Sequence, residues 1–206
     1  SNEILELAAR AFLSPNTSAI ASKHAFAVYK IVTKSSGASL TEVPSCNWGH
    51  DLKSFDDYLD SGTRVIFIAN PNNPTGTYNT HEEVHSLLKK VPSSVLVVLD
   101  CAYFEYVTKD DYVKPLELLN KFDNLLITKT FSKIHGLASI RIGYGIANTY
   151  LIEVLNRIRQ PFNVNTIAQA MASAAISDHE HIRQSIELNS QQYDFLFYQL
   201  SALGLD

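Results

Sequence analysis

Val95-Leu96-Val97-Val98-Leu99-Asp100-Cys101-Ala102-Tyr103 is an apolar run of strand length that closes on a carboxylate. Consecutive Val and Leu with no polar alternation suit a strand covered on both faces, as in a parallel sheet. Shorter runs rich in Val, Ile or Leu lie around it at 19–22, 39–43, 64–69, 125–128 and 142–147. Segments of helical period fall between and after them, at 3–12, 26–34, 82–90, 115–120, 151–158 and 166–176, and a long polar-apolar stretch runs from 179 to 200. This alternation predicts an α/β fold in three layers, α/β/α, with a mostly parallel central sheet. In such sheets ligands collect outside the carboxyl ends of the strands, so Asn70, Asp100 and the segment after Thr128 are where chemistry is expected.

Composition narrows the function classes. With 206 residues and 46% hydrophobic content, the chain can bury one principal core. The net charge is −4 and the 17 basic residues are scattered, which argues against a nucleic-acid partner or a membrane surface. No stretch approaches the ~20 apolar residues that span a bilayer, and the first residues lack the layout of a secretory signal. Cys46 and Cys101 are too few for a disulfide framework, and Cys101 ends a buried strand, which fits a reducing, cytoplasmic setting.

Three strings carry chemistry. Asn70-Pro71-Asn72-Asn73-Pro74-Thr75-Gly76 can continue neither strand nor helix; its prolines fix φ, Gly76 permits an unusual dihedral, and one amide could be held towards a ligand. A plain surface turn is the other reading of that composition. Asp100, at the end of its apolar strand, is poorly solvated and calls for a cationic or hydrogen-bonding partner, unless it only caps a helix or loop. The third string, Thr128-Lys129-Thr130-Phe131-Ser132-Lys133-Ile134-His135-Gly136-Leu137-Ala138-Ser139-Ile140-Arg141-Ile142-Gly143-Tyr144, gathers hydroxyls, a lysine, glycines and an arginine beside a strand end. That composition suits a phosphate dianion, and an unprotonated Lys133 could capture a carbonyl as an imine; a solvated, inert lysine is the alternative.

In this order, the three strings resemble those of the fold-type I pyridoxal-phosphate enzymes, most closely the histidinol-phosphate aminotransferases within the class I/II aminotransferase family. The resemblance covers essentially the whole chain. It implies a mixed, mostly parallel sheet and a cofactor, pyridoxal 5'-phosphate, carried on the catalytic Lys133. It further implies that Phe26 stacks on the cofactor ring, Asp100 pairs with the ring nitrogen, and Asn73 and Tyr103 hydrogen-bond the phenolic oxygen. Thr130, Ser132 and Arg141 would bind the phosphate, together with Ser1 and Asn2 at the end of a glycine-rich turn. The Asn73–Pro74 bond would be cis. The implied reaction transfers an amino group from an amino-acid-like donor to a 2-oxo acid acceptor, with histidinol phosphate and 2-oxoglutarate first in line; decarboxylation of a phosphorylated amino acid and a non-catalytic sensor domain are the alternatives. The implied assembly is a homodimer. The expected division is a cofactor-binding large domain over 1–177, lacking its N-terminal part, and a long helix over 178–206 leading to a small domain that is absent.

His81-Glu82-Glu83-Val84-His85 also matches the H-E-x-x-H pattern of zinc proteases. Thr80 with Glu83 predicts a capping box there instead, and Val84, Leu87, Leu88 and Val91 already make a buried stripe, so no metal is expected. Asp178 is expected to cap the last long helix rather than join His179 and His181 around a metal.

Overall fold

The computed structural model describes residues 1–205; Asp206, the last residue of the expected 178–206 connector, lies outside them. The elements in chain order are α1 (Asn2–Phe12), β1 (Ser18–Ser22), α2 (Val28–Ser35), β2 (Ser39–Val43), β3 (Ser45–Cys46), β4 (Gly49–His50), β5 (Thr63–Ala69), α3 (His81–Lys90), β6 (Leu96–Asp100), α4 (Pro115–Leu119), β7 (Leu125–Thr130), β8 (Gly143–Ile146), α5 (Thr149–Ile158), α6 (Thr166–Ala175) and α7 (His179–Ala202). Six strands form one sheet in the order β2-β1-β5-β6-β7-β8, parallel except for the antiparallel β7/β8 edge.

Successive side chains of a strand point to opposite faces, and both faces here are apolar. Val65, Phe67 and Ala69 of β5, with Val98 of β6 and Leu126 of β7, pack under α1, α2 and α5, where Leu5, Ala8, Tyr29, Val32 and Leu151 meet them. Ile66 and Ile68 of β5, with Val97, Leu99 and Ile127, pack under α3 and α4, against Val84, Leu87, Leu88 and Leu118. Each fully buried Val, Leu, Ile or Phe among them contributes about 1.5–3 kcal/mol relative to exposure. The two-sided burial is why the strands read as unbroken apolar runs.

The differences from expectation are local. β7 runs on through Lys129 and Thr130, polar residues that break the Val/Ile/Leu pattern but pair with Tyr144 and Gly143 of β8. Helix α2 starts at Val28 because Phe26 belongs to the preceding turn, whose carbonyl accepts from the Tyr29 N–H. Strand β8 is one residue shorter at each end than the 142–147 run, with Arg141 just before it. The small β3/β4 hairpin, turned by Asn47 and Trp48 at positive φ, has no counterpart among the expected strands. The long final helix is present from His179, with Asp178 accepting from the His181 N–H at 3.0 Å as its cap.

Candidate active site

The turn leaving β5 is built on amides. Asn70 accepts from the Asn79 N–H and donates to the Asn79 carbonyl, both at 2.9 Å, while Asn72 donates to the His24 carbonyl at 2.8 Å and to Thr75 Oγ1 at 2.7 Å. Gly76 sits at φ +71°, the left-handed region that favours glycine, and its N–H donates to the Asn72 carbonyl. The Asn70 amide and the Asn72 NH2 group are thus engaged in holding the turn, and Asn73 is the amide of the three that lines the cavity. It donates to the Tyr103 hydroxyl at 3.3 Å. The Asn73–Pro74 bond is cis, as expected, and so is Asn70–Pro71.

Asp100, at the carboxyl end of β6, is buried. The Thr128 hydroxyl donates to Oδ1 at 2.9 Å and the Tyr29 hydroxyl to Oδ2 at 3.1 Å. These partners are neutral. Burial therefore wins and pushes the carboxyl above its usual range, while the two hydroxyls pull it part of the way back. Tyr29 is driven up in turn, first by its own burial and then by the Asp100 charge. A carboxylate in this state is short of positive charge and is matched to a cationic N–H.

Beyond β7 the chain makes a tight loop. The Leu137 N–H donates to the Phe131 carbonyl and the Gly136 N–H to the Lys133 carbonyl, both at 2.9 Å. The Lys133 ammonium lies 5.0 Å from the centre of the Tyr103 ring. Thr130 Oγ1 accepts from the Ser132 N–H at 3.1 Å. Arg141 adopts φ +60°, ψ +55°, a conformation that costs a non-glycine residue about 1–3 kcal/mol, and donates to the Ala138 carbonyl at 2.6 Å.

All ten residues expected from the sequence, namely Ser1, Asn2, Phe26, Asn73, Asp100, Tyr103, Thr130, Ser132, Lys133 and Arg141, line one cavity of about 670 Å³ at the carboxyl ends of β5, β6 and β7. The start of α1 reaches it because residue 143 has no side chain: a Cβ on Gly143 would lie 2.4 Å from Ser1 N and 2.7 Å from the Lys129 carbonyl oxygen. The N-terminal end of a helix, with unpaired N–H groups and a positive dipole end, is thereby aimed at the same space as Arg141. The residues to which sequence reading gave no role are the supports: Tyr29, Thr128 and Gly143. Thr128 stands opposite Asp100 in the β6/β7 register, a relation available only once the pairing is known.

The H-E-x-x-H string is the first turn of α3. Thr80 accepts from the Glu83 N–H, and the Glu83 carboxylate accepts from the Thr80 N–H at 2.9 Å, so the capping box is formed. His81 Nδ1 accepts from the Lys114 N–H at 3.2 Å.

The sequence profile of the family described as aminotransferase class I and II matches residues 1–206. The histidinol-phosphate aminotransferase 2 of Pseudomonas fluorescens (strain Pf-5) is 50% identical over 205 residues, covering all of this chain and 55% of that protein. That of Ralstonia nicotianae is 48% identical over 206 residues, covering 100% of this chain and 55% of its own length. This chain spans about half the length of the curated relatives it matches. Among solved structures, the histidinol-phosphate aminotransferase of Sinorhizobium meliloti in complex with pyridoxal-5'-phosphate superposes with a TM-score of 0.86 at 28% identity, over 92% of this chain and 52% of that one. A mutant aspartate aminotransferase of Thermus thermophilus, at 22% identity, shares the fold with a TM-score of 0.88 over 99% of this chain and 58% of that one. The match of the family profile along the whole chain places it: the chain belongs to the class I and II aminotransferase family.

Proposed function

We propose that this chain carries the cofactor-binding part of the active site of a pyridoxal-phosphate-dependent aminotransferase, and that the complete protein transfers an amino group from histidinol phosphate to 2-oxoglutarate. The observation that carries the reading is a single cavity lined by a lysine amine, a buried carboxylate with neutral partners, and an anion-binding set at a helix start. The residues fit the cofactor. The side chains that hydrogen-bond Asp100 are neutral hydroxyls, and a protonated pyridine nitrogen would supply the cationic partner that suits a buried carboxylate.

When bound, pyridoxal phosphate supplies an electron-poor ring that takes up the charge left as a substrate Cα–H bond breaks. Asp100 would hold the ring nitrogen protonated, with Tyr29 and Thr128 fixing its two oxygens. Asn73 and Tyr103 would donate to the phenolic oxygen, and Phe26 would cover a ring face. Thr130, Ser132, Arg141 and the start of α1 would hold the phosphate dianion. Lys133 would hold the cofactor covalently and, once released, its Nζ would carry the proton off the substrate Cα as general base.

The substrate assignment is supported by relatives named histidinol-phosphate aminotransferase at about half identity along the whole chain. The same reading makes the protein a cytoplasmic homodimer; among the described residues no helix is long and apolar enough to cross a membrane. Steady-state turnover of the full-length protein, with histidinol phosphate, phenylalanine and aspartate compared as donors, tests the proposal. A kcat/KM for histidinol phosphate at least ~10-fold above the others is expected, the upper scale of one net hydrogen bond; equal or inverted preference would reject it.

A further inference from the structure

The loop that carries Lys133 is held from outside the cavity by the first turn of α7. His181 Nε2 donates to the carbonyl of Ile134, the residue after Lys133, at 2.9 Å. The His181 backbone is fixed in its turn by the Asp178 cap, so the imidazole projects from a rigid base. It also lies against Gly136: a Cβ built there would sit 3.9 Å from His181 Nε2, and Gly136 takes φ +69° to close the loop onto the Lys133 carbonyl. His135, between these two contacts, lines with His181, Asp178, Met171 and Ala175 a second, smaller cavity of about 300 Å³ between the loop and the helices. Helix α7 also packs on the Phe104–Tyr106 turn that follows Tyr103. One helix therefore touches the segments behind both Lys133 and Tyr103, whose side chains face each other across 5.0 Å.

We propose that His181 is a positioning residue: through the Ile134 carbonyl it sets the Lys133 loop, so that the placement of α7 is transmitted to the Lys133 amine. The cause is geometric. Phe131 and Ile134 are buried and the Phe131 N–H donates to the Ile142 carbonyl, which anchors the loop in the core, while the carbonyl adjoining Lys133 takes its side-chain partner from α7 and so follows that helix. At 24 residues, α7 is about 36 Å long at ~1.5 Å per residue, so a small rotation about its first turn is a large displacement at its far end, and the reverse holds for any motion imposed there. The proposal rests on the reading of Lys133 as the cofactor lysine.

The test compares full-length wild type with His181→Leu, which cannot donate, His181→Asn, which is too short to reach, and His181→Gln, whose amide N–H can take the place of Nε2. The first readout needs no cofactor: amide hydrogen exchange of residues 131–137. The second is the rate at which Lys133 captures added pyridoxal phosphate, the amine adding to the aldehyde carbon and water leaving, followed by absorbance. Exchange in the loop is expected to rise several-fold in His181→Leu and His181→Asn, capture to slow by about 10-fold, the scale of one lost hydrogen bond, and His181→Gln to recover most of both. Unchanged exchange and capture in the two defective variants would overturn the proposal, as would a fall in melting temperature alone, or failure of His181→Gln to recover either readout. If wild type captures no pyridoxal phosphate, the reading of Lys133 fails and the transmission to its amine fails with it, while unchanged exchange with normal wild-type capture rejects the His181 brace alone.

Discussion

The Tyr29 hydroxyl donates to Asp100 Oδ2 at 3.1 Å from within the core, where its ring stacks on Phe67 with centroids 4.9 Å apart and planes 7° from parallel. The ring is held by packing and the hydroxyl is free to serve the carboxylate, so the two functions separate on substitution. Tyr29→Phe keeps the stack and removes one of two hydroxyl donors to a buried charge. Hydrogen bonds to charged groups are worth about 1.5–3 kcal/mol, so pyridoxal phosphate should bind roughly 10-fold or more weakly, with little loss of melting temperature. Absorbance titration of the cofactor beside thermal unfolding checks both halves.

Asp100 gives a pH signature of opposite sign to that of an ion-paired carboxylate. Its folded pKa is raised above the ordinary value of 3.8 by burial. Ionising it therefore costs folding free energy: the contribution is most favourable below the unfolded pKa, and the penalty grows as pH rises from there through the raised folded value. Asp100→Asn should leave the cofactor-free protein as stable as wild type or about 1 kcal/mol more stable at pH 7, since each tenfold change in proton affinity corresponds to ~1.4 kcal/mol, and the advantage should vanish near pH ~3. The same variant should lose cofactor affinity. Urea unfolding from acid to neutral pH, without and with pyridoxal phosphate, reads the crossing.

Gly143→Ala should act at the start of α1. The new methyl would collide with two backbone atoms, Ser1 N and the Lys129 carbonyl oxygen, neither of which is the end of a flexible side chain. Relief requires displacing α1 or opening the β7/β8 edge, at a cost of about 1–3 kcal/mol. Phosphate-dependent binding should suffer more than stability, so affinity for pyridoxal phosphate should fall further than affinity for pyridoxal.

Thr80→Ala removes the side-chain acceptor of the α3 capping box and should destabilise the fold by about 1 kcal/mol without touching cofactor binding. Adding zinc should not restore the loss, since among the described residues no group of three or more His, Cys, Asp or Glu is placed to hold a metal ion. Thermal unfolding with and without zinc checks both statements.

How legible all this was follows from what each residue does. The strands were readable because both sheet faces are covered, so Val97-Val98-Leu99 and Val65-Ile66-Phe67-Ile68 carry no polar interruption. The residues that line the cavity stood out because they occupy strand ends and turns, where polar side chains contrast with apolar runs. Tyr29 and Thr128 were not readable as site residues: one looks like an ordinary core aromatic in a helix and the other like the end of a strand, and only the β6/β7 register and the packing of α2 bring them to Asp100. Lys129 and Thr130 extend β7 against the apolar pattern because Lys129 finds Glu105 at 2.5 Å, a partner remote in sequence. The Trp48 hairpin had no signal, since neither Asn47 nor Trp48 at positive φ follows the usual glycine pairing of tight turns.

The central claim is that Lys133 holds the cofactor, and the most direct test is borohydride reduction of the protein loaded with pyridoxal phosphate, followed by peptide mapping by mass spectrometry. The account expects the reduced pyridoxyl adduct on the peptide containing Lys133, and its loss in Lys133→Arg. An adduct on another lysine with Lys133 unmodified, or no adduct on a loaded protein, would contradict it.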